Sequence, residues 1–261
     1  MKEYSHIIAS SAIVPVRKEA SDTSEMVTQM LLGETASILE KKERWVKVLC
    51  DFDAYVGWIS VAQGTLLTSK AHDKWIKDKD VIRSPFKCFK ITNLLDNRLI
   101  VPTGSLIAIT ENTHIKLPFG TYSTQESLFE ISLTDPLHTA QEFLGVPYLW
   151  GGRSESGIDC SGLIQLVYLL HGVNIPRDAS QQELFFEKKS DTIDDALPGD
   201  VFFFKNENGH VYHVGFSLGN GLILHASGNV KVETINPNDK DTPRNFNSRL
   251  ADTFCGVYKL P

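Results

Sequence analysis

A cysteine and two histidines in the C-terminal half of the chain could together carry out nucleophilic chemistry. Cys160 precedes a serine and a glycine, and His213 and His225 come later, in separate apolar segments. A thiolate attacks carbonyl carbon readily, and an imidazole beside it can take the thiol proton and return it to a leaving group. The order of these residues predicts covalent acyl chemistry with Cys160 as the nucleophile.

The residues after Cys160 predict a helix that begins at the cysteine. Apolar side chains recur there at helical spacing, at Leu163, Ile164, Val167 and Leu170. Asp159 is the candidate N-cap and Gly172 the stop, so Cys160 lies in the first turn, where unpaired N–H groups and the helix dipole favour a thiolate. His171 lies about three turns along the same helix, so the base must come from another element.

The two later histidines lie on the arms of a predicted β-hairpin whose turn contains Gly219-Asn220-Gly221. A three-residue loop places Gly215 opposite His225 and brings His213 and His225 to one face of the hairpin, whereas a two-residue loop separates them. Their cooperation therefore requires an odd-length turn or a bulge, and the flanking glycines permit either. Because Gly215 has no side chain, the cysteine helix is expected to pack across the hairpin at this position.

The N-terminal half is organised differently, as short β-rich runs between polar turns. The runs are Ala12–Val16, Ala36–Leu39, Trp45–Leu49 and Tyr55–Ile59. This spacing predicts a small barrel, and a weaker version of it from about Asp80 to Tyr122 predicts a second, degenerate one. The charged stretch Lys70–Asp80 between them predicts a connector or a short surface helix. At Thr134-Asp135-Pro136 an N-cap candidate followed by proline predicts a helix and a domain boundary.

Five motifs follow one another in the C-terminal part. They are Tyr148-x-Trp150-Gly151-Gly152, Asp159-Cys160-Ser161-Gly162-Leu163, Pro198-Gly199-Asp200-Val201-x-Phe203-Phe204, His213-Val214-Gly215 and His225-Ala226. Together they resemble the NlpC-type (NlpC/P60) cysteine peptidases, which have a papain-like fold, over about Asp135 to Pro261. The N-terminal runs, with Gly33-Glu34, resemble the bacterial SH3-like modules that accompany cell-wall enzymes. The whole arrangement is similar to that of the γ-D-glutamyl-L-diamino-acid endopeptidases.

The resemblance assigns catalytic roles to four residues of this chain. Cys160 is implied as the nucleophile, His213 as the general base and acid, and His225 as the residue that orients the imidazole. Tyr148, twelve residues before the cysteine, is expected to help the Cys160 backbone N–H stabilise the tetrahedral oxyanion. No metal and no organic cofactor is expected.

The same resemblance implies a substrate-binding set. Asp159 and Ser161, with Glu25 and Tyr55 from the first module, would hold the ammonium group of a peptide with a free N-terminal L-alanine. Trp150 is placed with them as a substrate-binding residue. Each of these residues also has a purely structural interpretation. Asp159 could serve only as the N-cap, Glu25 as a solvated surface acid, and Tyr55 as a barrel residue.

Composition and charge limit the other classes of partner. A formal net charge of -6 disfavours binding to nucleic acid or to an anionic membrane. The first residues lack the apolar run of a signal peptide, and no stretch has the length of a membrane span, so a cytoplasmic location is expected. Cys50, Cys88 and Cys255 stand in strand-like apolar contexts without a C-x-x-C pair, which predicts free thiols.

The sequence thus predicts an α+β chain in which a papain-like domain, with its cysteine helix packed on an antiparallel sheet, follows one or two small SH3-like β-barrels. The predicted boundaries are 1–66, 67–132 and 133–261. The expected activity is hydrolysis of the γ-D-glutamyl–diamino-acid bond of small cell-wall peptides during recycling. An amidase or acyltransferase using the same site, and a wall-peptide binding module, are the alternatives. Diaminopimelate and lysine, and any oligomeric state, are equally compatible with these motifs.

Overall fold

The computed structural model describes residues 4–110, 114–236 and 246–261. The chain divides into two compact units, Met1–Ile131 and Ser132–Pro261. Within the described residues, no helix has both the length and the apolar character needed to cross a membrane. The α+β class predicted from the sequence is confirmed, because antiparallel sheets dominate both units and few helices accompany them.

The first sheet of the N-terminal unit has seven antiparallel strands. They are β1 (His6–Ala9), β2 (Ile13–Arg17), β3 (Met26–Leu31), β4 (Thr35–Lys42), β5 (Trp45–Cys50), β6 (Val56–Ser60) and β7 (Gly64–Leu67), in the order β3-β2-β6-β5-β4-β1-β7. The four predicted runs correspond to β2, β4, β5 and β6. Alternation in β2 and β5 buries Val14, Val16, Val46 and Val48 in the core of this sheet.

A helix and a second sheet complete the N-terminal unit. The helix is α1 (Ser69–Ile76), and the strands are β8 (Val81–Arg83), β9 (Phe89–Thr92), β10 (Arg98–Val101), β11 (Leu106–Thr110), β12 (His114–Leu117) and β13 (Gly120–Ser123), in the order β10-β9-β13-β12-β11-β8. Of the two alternatives predicted for Lys70–Asp80, a connector or a short surface helix, the structure has a helix, and one side of it is buried. It buries Trp75, whose indole N–H donates to the Gly33 carbonyl at 2.9 Å, and His72, whose Nε2 lies 2.7 Å from Asp51 Oδ2.

The two sheets of this unit share apolar packing. Ile8 of β1 and Leu32, in the turn between β3 and β4, are buried in one cluster with Ile91 and Ile107 of the second sheet. The Arg83 guanidinium also pairs with the buried carboxylate of Glu34. These contacts join the two barrel-like layers into one compact unit.

The C-terminal unit places short helices around a six-stranded antiparallel sheet. Its helices are α2 (Pro136–Gln141), α3 (Cys160–Leu170), α4 (Ala179–Phe185) and α5 (Ser248–Thr253), and its strands are β14 (Arg153–Ser154), β15 (Gly157–Ile158), β16 (Glu187–Ser190), β17 (Val201–Lys205), β18 (Val211–Gly219), β19 (Leu222–Ser227), β20 (Asn229–Thr234) and β21 (Phe254–Lys259). The large sheet has the order β16-β21-β17-β18-β19-β20, and β14 and β15 form a separate two-stranded ribbon.

The two faces of the large sheet pack against different helices. On one face, the ring of Tyr168 in α3 lies 5.8 Å from the ring of Phe216 in β18. On the other face, Phe202 and Phe204 of β17 pack with Leu250 of α5 and with Phe254. Strands β17 and β18 are buried on both faces. Strand β17 is accordingly an apolar run from Val201 to Phe204, whereas β18 also buries the polar side chains of His213 and Ser217.

The hairpin of β18 and β19 combines a two-residue turn with a bulge. Asn220 and Gly221 both have positive φ, 53° and 75°, which a type I′ turn requires. Gly219 pairs with Leu222, but Ser217 pairs with Ile223, so Leu218 is the extra residue of the bulge. The three-residue loop considered from the sequence would pair Leu218 with Leu222, and that pairing is not formed. Beyond the bulge the register is the one that brings both histidines to a single face.

Candidate active site

Cys160 is the first residue of α3, and Asp159 caps that helix. The Asp159 side chain accepts a hydrogen bond from the Gly162 N–H at 2.7 Å, as the sequence predicted. The Cys160 side chain is nearly buried, and its sulfur accepts hydrogen bonds from the backbone N–H groups of Ser161 and Val214. Since Val214 follows His213 in β18, the fold brings the thiol beside that histidine.

Burial keeps the cysteine and the histidine uncharged at rest. Burial and the charge of Asp159 raise the pKa of the Cys160 thiol to about 12, against the opposing effect of two backbone N–H groups and Arg177. Burial and the adjacent His225 lower the pKa of His213 to about 3. The Ser161 N–H at the start of the helix favours the thiolate, as the sequence predicted, but burial outweighs this effect. Proton transfer from the thiol to the imidazole would create both charges together, as a thiolate–imidazolium pair.

The two histidines form a direct hydrogen-bonded pair that continues to a carboxylate. His213 Nε2 lies 2.7 Å from His225 Nδ1, and His225 Nε2 lies 2.9 Å from Glu233 Oε2 in β20. His225 is fully buried, and burial lowers its pKa to about 4. With His213 Nε2 engaged by His225, Nδ1 is the ring nitrogen left to exchange a proton with the thiol. Sequence reasoning did not find Glu233.

Gly215 separates the histidines along the hairpin, and its lack of a side chain is required by β19 rather than by the cysteine helix. A Cβ at this position would lie 2.7 Å from Ile223 Cδ1 and 2.9 Å from His225 Cβ. The space that the sequence suggested for α3 is therefore filled by neighbours in the sheet. Gly215 lets His225 approach β18 closely enough to reach His213.

Asp159 also forms a buried ion pair that the sequence did not predict. Arg177, in the loop before α4, donates from Nη1 to Asp159 Oδ1 at 2.9 Å and from Nη2 to Oδ2 at 2.6 Å. Arg177 also donates to the Ser161 hydroxyl at 2.8 Å, and the Gly151 N–H donates to Asp159 Oδ2 at 2.8 Å. A carboxylate has about four lone-pair positions. Any further donor to Asp159, such as a substrate ammonium, would have to displace one of these partners.

The loop before α3 brings Tyr148 close to the cysteine. Burial and the nearby Cys160 and Asp159 raise the pKa of Tyr148 to about 12, so its hydroxyl keeps its proton. The loop itself is held by backbone hydrogen bonds, including one of 2.9 Å from the Tyr148 N–H to the Gly228 carbonyl. Trp150 in the same loop is 60% exposed, on the protein surface. A hydroxyl donor and an exposed aromatic ring thus lie in one loop, and their assigned roles stay predictions.

The two predicted substrate residues of the N-terminal unit lie in its first sheet and the loops around it. The carboxylate of Glu25 lies 3.6 Å from Lys18 Nζ in an exposed ion pair. Tyr55 is partly buried against the core of the first sheet, and its backbone N–H donates to Asp53 Oδ1 at 3.0 Å. Their role in binding an ammonium group stays a prediction from the family resemblance.

Comparison with known protein families covers both units. Residues 145–246 match the model of the NlpC/P60 family, and this range contains Cys160, His213 and His225. Residues 16–63 match the model described as the bacterial dipeptidyl-peptidase Sh3 domain, and this range contains Glu25 and Tyr55. The second sheet of the N-terminal unit lies outside both matches.

Several curated relatives align with most of this chain. A γ-D-glutamyl-L-lysine dipeptidyl-peptidase of Bacillus subtilis is 30% identical over 218 residues, which is 76% of this chain and 71% of that protein. Dipeptidyl-peptidase 6 of Lysinibacillus sphaericus is 29% identical over 264 residues, which is 91% of this chain and 93% of that protein.

A solved structure has the same fold. The crystal structure of an NlpC/P60 family protein from Bacillus cereus superposes with a TM-score of 0.77 at 22% identity, covering 98% of this chain and 100% of the other. At this identity the likeness concerns the fold alone, and it agrees with the papain-like and SH3-like architecture. With the curated relatives and the two family matches, it shows that this chain belongs to the NlpC/P60 family and is a cysteine peptidase.

Proposed function

We propose that this peptidase hydrolyses the γ-D-glutamyl–diamino-acid bond of small cell-wall peptides that carry a free N-terminal L-alanine. The observation that carries the chemistry is the thiol of Cys160 at the start of α3, hydrogen-bonded to the Val214 N–H beside the His213–His225 pair. The substrate class follows the relatives that are named γ-D-glutamyl-L-lysine dipeptidyl-peptidases and are 27% and 30% identical to this chain.

The residues of the site suit a two-step acyl transfer. The Cys160 thiol gives its proton to His213 Nδ1 while sulfur attacks the γ-carbonyl carbon of D-glutamate, and the tetrahedral intermediate then collapses. The C–N bond breaks, and the His213 imidazolium returns the proton to the departing amine of the diamino acid. Water, deprotonated by the same imidazole, then hydrolyses the thioester and restores the thiol.

The developing oxyanion has two donors within the site. Cys160 is the first residue of α3, so its backbone N–H has no acceptor within the helix. The Tyr148 hydroxyl stays protonated because its pKa is raised to about 12, so it can donate throughout the neutral range. Donors fixed in advance around a developing negative charge are a large source of rate enhancement.

Recognition of a free amine is supported by the names of the relatives and of the matched Sh3 model. A dipeptidyl-peptidase releases two residues from an amino terminus, and that name belongs to the matched Sh3 domain as well as to the curated relatives. We therefore retain Glu25, Tyr55, Asp159 and Ser161 as the proposed amine-binding residues, and Trp150 as a proposed substrate contact. Asp159 already receives several donors, so an ammonium group bound there would have to displace one of them.

We assign the activity to recycling of cell-wall peptides in the cytoplasm. Small peptides with a free amino end are the products that earlier cleavage of the wall would supply. The net charge of -6 disfavours adhesion to an anionic envelope, and four free thiols suit a reducing compartment. Separation of cells into cytoplasmic and envelope fractions, followed by assay of each fraction, tests the location. Activity confined to the envelope would contradict it.

Mass spectrometry of two peptides and their N-acetylated copies tests the reaction. L-Ala-γ-D-Glu-L-Lys, its diaminopimelate analogue and N-acetylated copies of both are incubated with wild type and with Cys160→Ala. Release of L-Ala-D-Glu from the free-amine peptides alone, lost in Cys160→Ala, is the expected result. Equal cleavage of the acetylated copies would remove the amine-recognition proposal, and cleavage at another bond would indicate the alternative amidase or acyltransferase chemistry.

A further inference from the structure

We propose that Glu233 is a positioning residue that fixes the proton arrangement of both active-site histidines, an inference that rests on the cysteine-peptidase site proposed above. Glu233 lies in β20, two positions beyond Lys231, the cross-strand partner of His225. Its Oε2 is 2.9 Å from His225 Nε2, and its side chain is 18% exposed. The carboxylate is therefore the last member of a line that runs from Cys160 through His213 and His225.

The surroundings of Glu233 make it a hydrogen-bond acceptor. Asn247 Nδ2 donates to Glu233 Oε2 at 2.7 Å, and Lys231 Nζ lies 2.8 Å from Oε1. A flip of the Asn247 amide would break another hydrogen bond. Its Oδ1 accepts the Leu250 N–H at 3.0 Å, as the N-cap of α5. Burial tends to raise the pKa of Glu233, but the bonds from Lys231 and Asn247 and the charge of His225 hold it below its ordinary value.

An acceptor at Glu233 determines which nitrogen of each ring carries the proton. An ionised carboxylate can only accept, so His225 Nε2 must carry a hydrogen and donate it. In neutral His225 the Nδ1 atom is then an acceptor, and the 2.7 Å contact requires a donated hydrogen from His213 Nε2. Neutral His213 consequently has a bare Nδ1, which is the form that can take the proton of the Cys160 thiol.

Without the carboxylate, the opposite arrangement becomes available. His225 could carry its hydrogen on Nδ1 and donate to His213 Nε2, which would move the His213 hydrogen to Nδ1 and point a donor at the sulfur. That form cannot act as a base. Among the residues that the structure describes, the charge of Glu233 raises the pKa of His213, and the charges of Lys231 and Arg249 lower it. The carboxylate thus opposes two cations that would disfavour the imidazolium.

Nuclear magnetic resonance of the full chain labelled with ¹⁵N reads the ring protons directly. In wild type, long-range ¹H–¹⁵N correlations are expected to show both His213 and His225 as Nε2–H forms at neutral pH. Glu233→Leu removes the acceptor, and a substantial Nδ1–H population should appear on both rings. Glu233→Gln keeps an oxygen acceptor and should retain the wild-type pattern. An Nδ1–H form of either ring in the wild type would overturn the proposal, whether or not the variants fold.

Alkylation of Cys160 by iodoacetamide provides a rate that does not depend on any peptide. Glu233→Leu should slow it by about 10-fold to 10²-fold, the range found when the carboxylate behind a metal-bound histidine is removed. Glu233→Gln should recover most of that loss. Glu187→Leu is the matched control and should react like wild type. Glu187 lies in β16 and forms an exposed ion pair with Lys259. Equal rates for all four proteins, with unchanged ring protons, would refute the role of Glu233.

The two proposals can fail separately in this design. Wild type could be alkylated at Cys160 and show the expected ring protons but cleave none of the peptides. In that case the substrate assignment fails and the role of Glu233 stands. If wild type cleaves the peptides and Glu233→Leu cleaves them equally fast with unchanged ring protons, the role of Glu233 fails and the substrate assignment stands.

Discussion

Arg177 holds both carboxylate oxygens of Asp159, the residue directly before the nucleophile. The contacts are 2.9 Å for Nη1 to Oδ1 and 2.6 Å for Nη2 to Oδ2, and both side chains are nearly inaccessible to solvent. Burial tends to lower the pKa of Arg177, but Asp159 outweighs it and raises that pKa. Removal of the guanidinium would leave a buried carboxylate with only neutral donors, the N–H groups of Gly151 and Gly162 and the Ser161 hydroxyl.

Arg177→Met is therefore expected to lower the free energy of unfolding of the C-terminal unit by about 3–5 kcal/mol, the cost of leaving one partner of a buried pair uncompensated. Urea unfolding followed through ¹H–¹⁵N cross-peaks of β17 and β18 measures it. Lys259→Met, which breaks the exposed pair with Glu187, is the control and should cost less than about 1 kcal/mol. Equal effects of the two substitutions would show that the buried pair has no special stabilising role.

Tyr148 is predicted to act in the transition state rather than in substrate binding. Tyr148→Phe should reduce kcat on the order of 10²-fold with little change in KM, because the lost hydroxyl would donate to the oxyanion. Tyr212→Phe is a matched control, since the Tyr212 hydroxyl bonds Thr253 Oγ1 at 2.7 Å and plays no part in the proposed reaction. A change in KM alone for Tyr148→Phe would assign the tyrosine to binding of the substrate.

The catalytic helix and the histidine hairpin could be predicted from the sequence because local patterns determine both. An aspartate before a helical apolar repeat specifies the N-cap and the start of α3, so the location of Cys160 followed directly. The hairpin register was predicted on the condition of an odd-length turn or a bulge; Asn220-Gly221 forms a two-residue turn, and the bulge at Leu218 restores the register. The flanking glycines permitted both solutions, and only the structure distinguishes them.

Arg177 and Glu233 escaped sequence reasoning because tertiary contacts alone bring them to the site. Arg177 stands in a loop without periodicity, seventeen residues after the cysteine. Glu233 had a usable signal: a tight turn near Gly228 places Lys231 opposite His225 and Glu233 one diagonal step away. The raised pKa of Cys160 was also out of reach, because its largest cause is burial of the thiol in the folded unit.

Gly215→Ala tests whether close packing between β18 and β19 sets the histidine pair. The added methyl group would meet Ile223 Cδ1 and His225 Cβ at less than 3 Å, so β19 must shift. We expect a loss of about 1–3 kcal/mol in the free energy of unfolding, as for other overpacked positions, and slower alkylation of Cys160. Ile223 Cγ1 would also lie 2.7 Å from the new methyl group, so both Ile223 and His225 must move. Alkylation of Cys160 at the wild-type rate in Gly215→Ala would mean that His225 had not moved.

The buried histidines should make the C-terminal unit sensitive to acid. In the unfolded chain, His213 and His225 bind protons near pH 6.5, whereas burial lowers their pKa in the folded chain to about 3 and about 4. The unfolded state therefore binds more protons between pH 6.5 and 4, so the free energy of unfolding falls as the pH falls through this window. From pH 6.5 to pH 5 the loss should be up to about 2 kcal/mol for each histidine. Urea unfolding at both pH values measures it, and the double variant His213→Gln, His225→Gln should lose less over the same interval. An equal loss in both proteins would place the acid sensitivity in other groups.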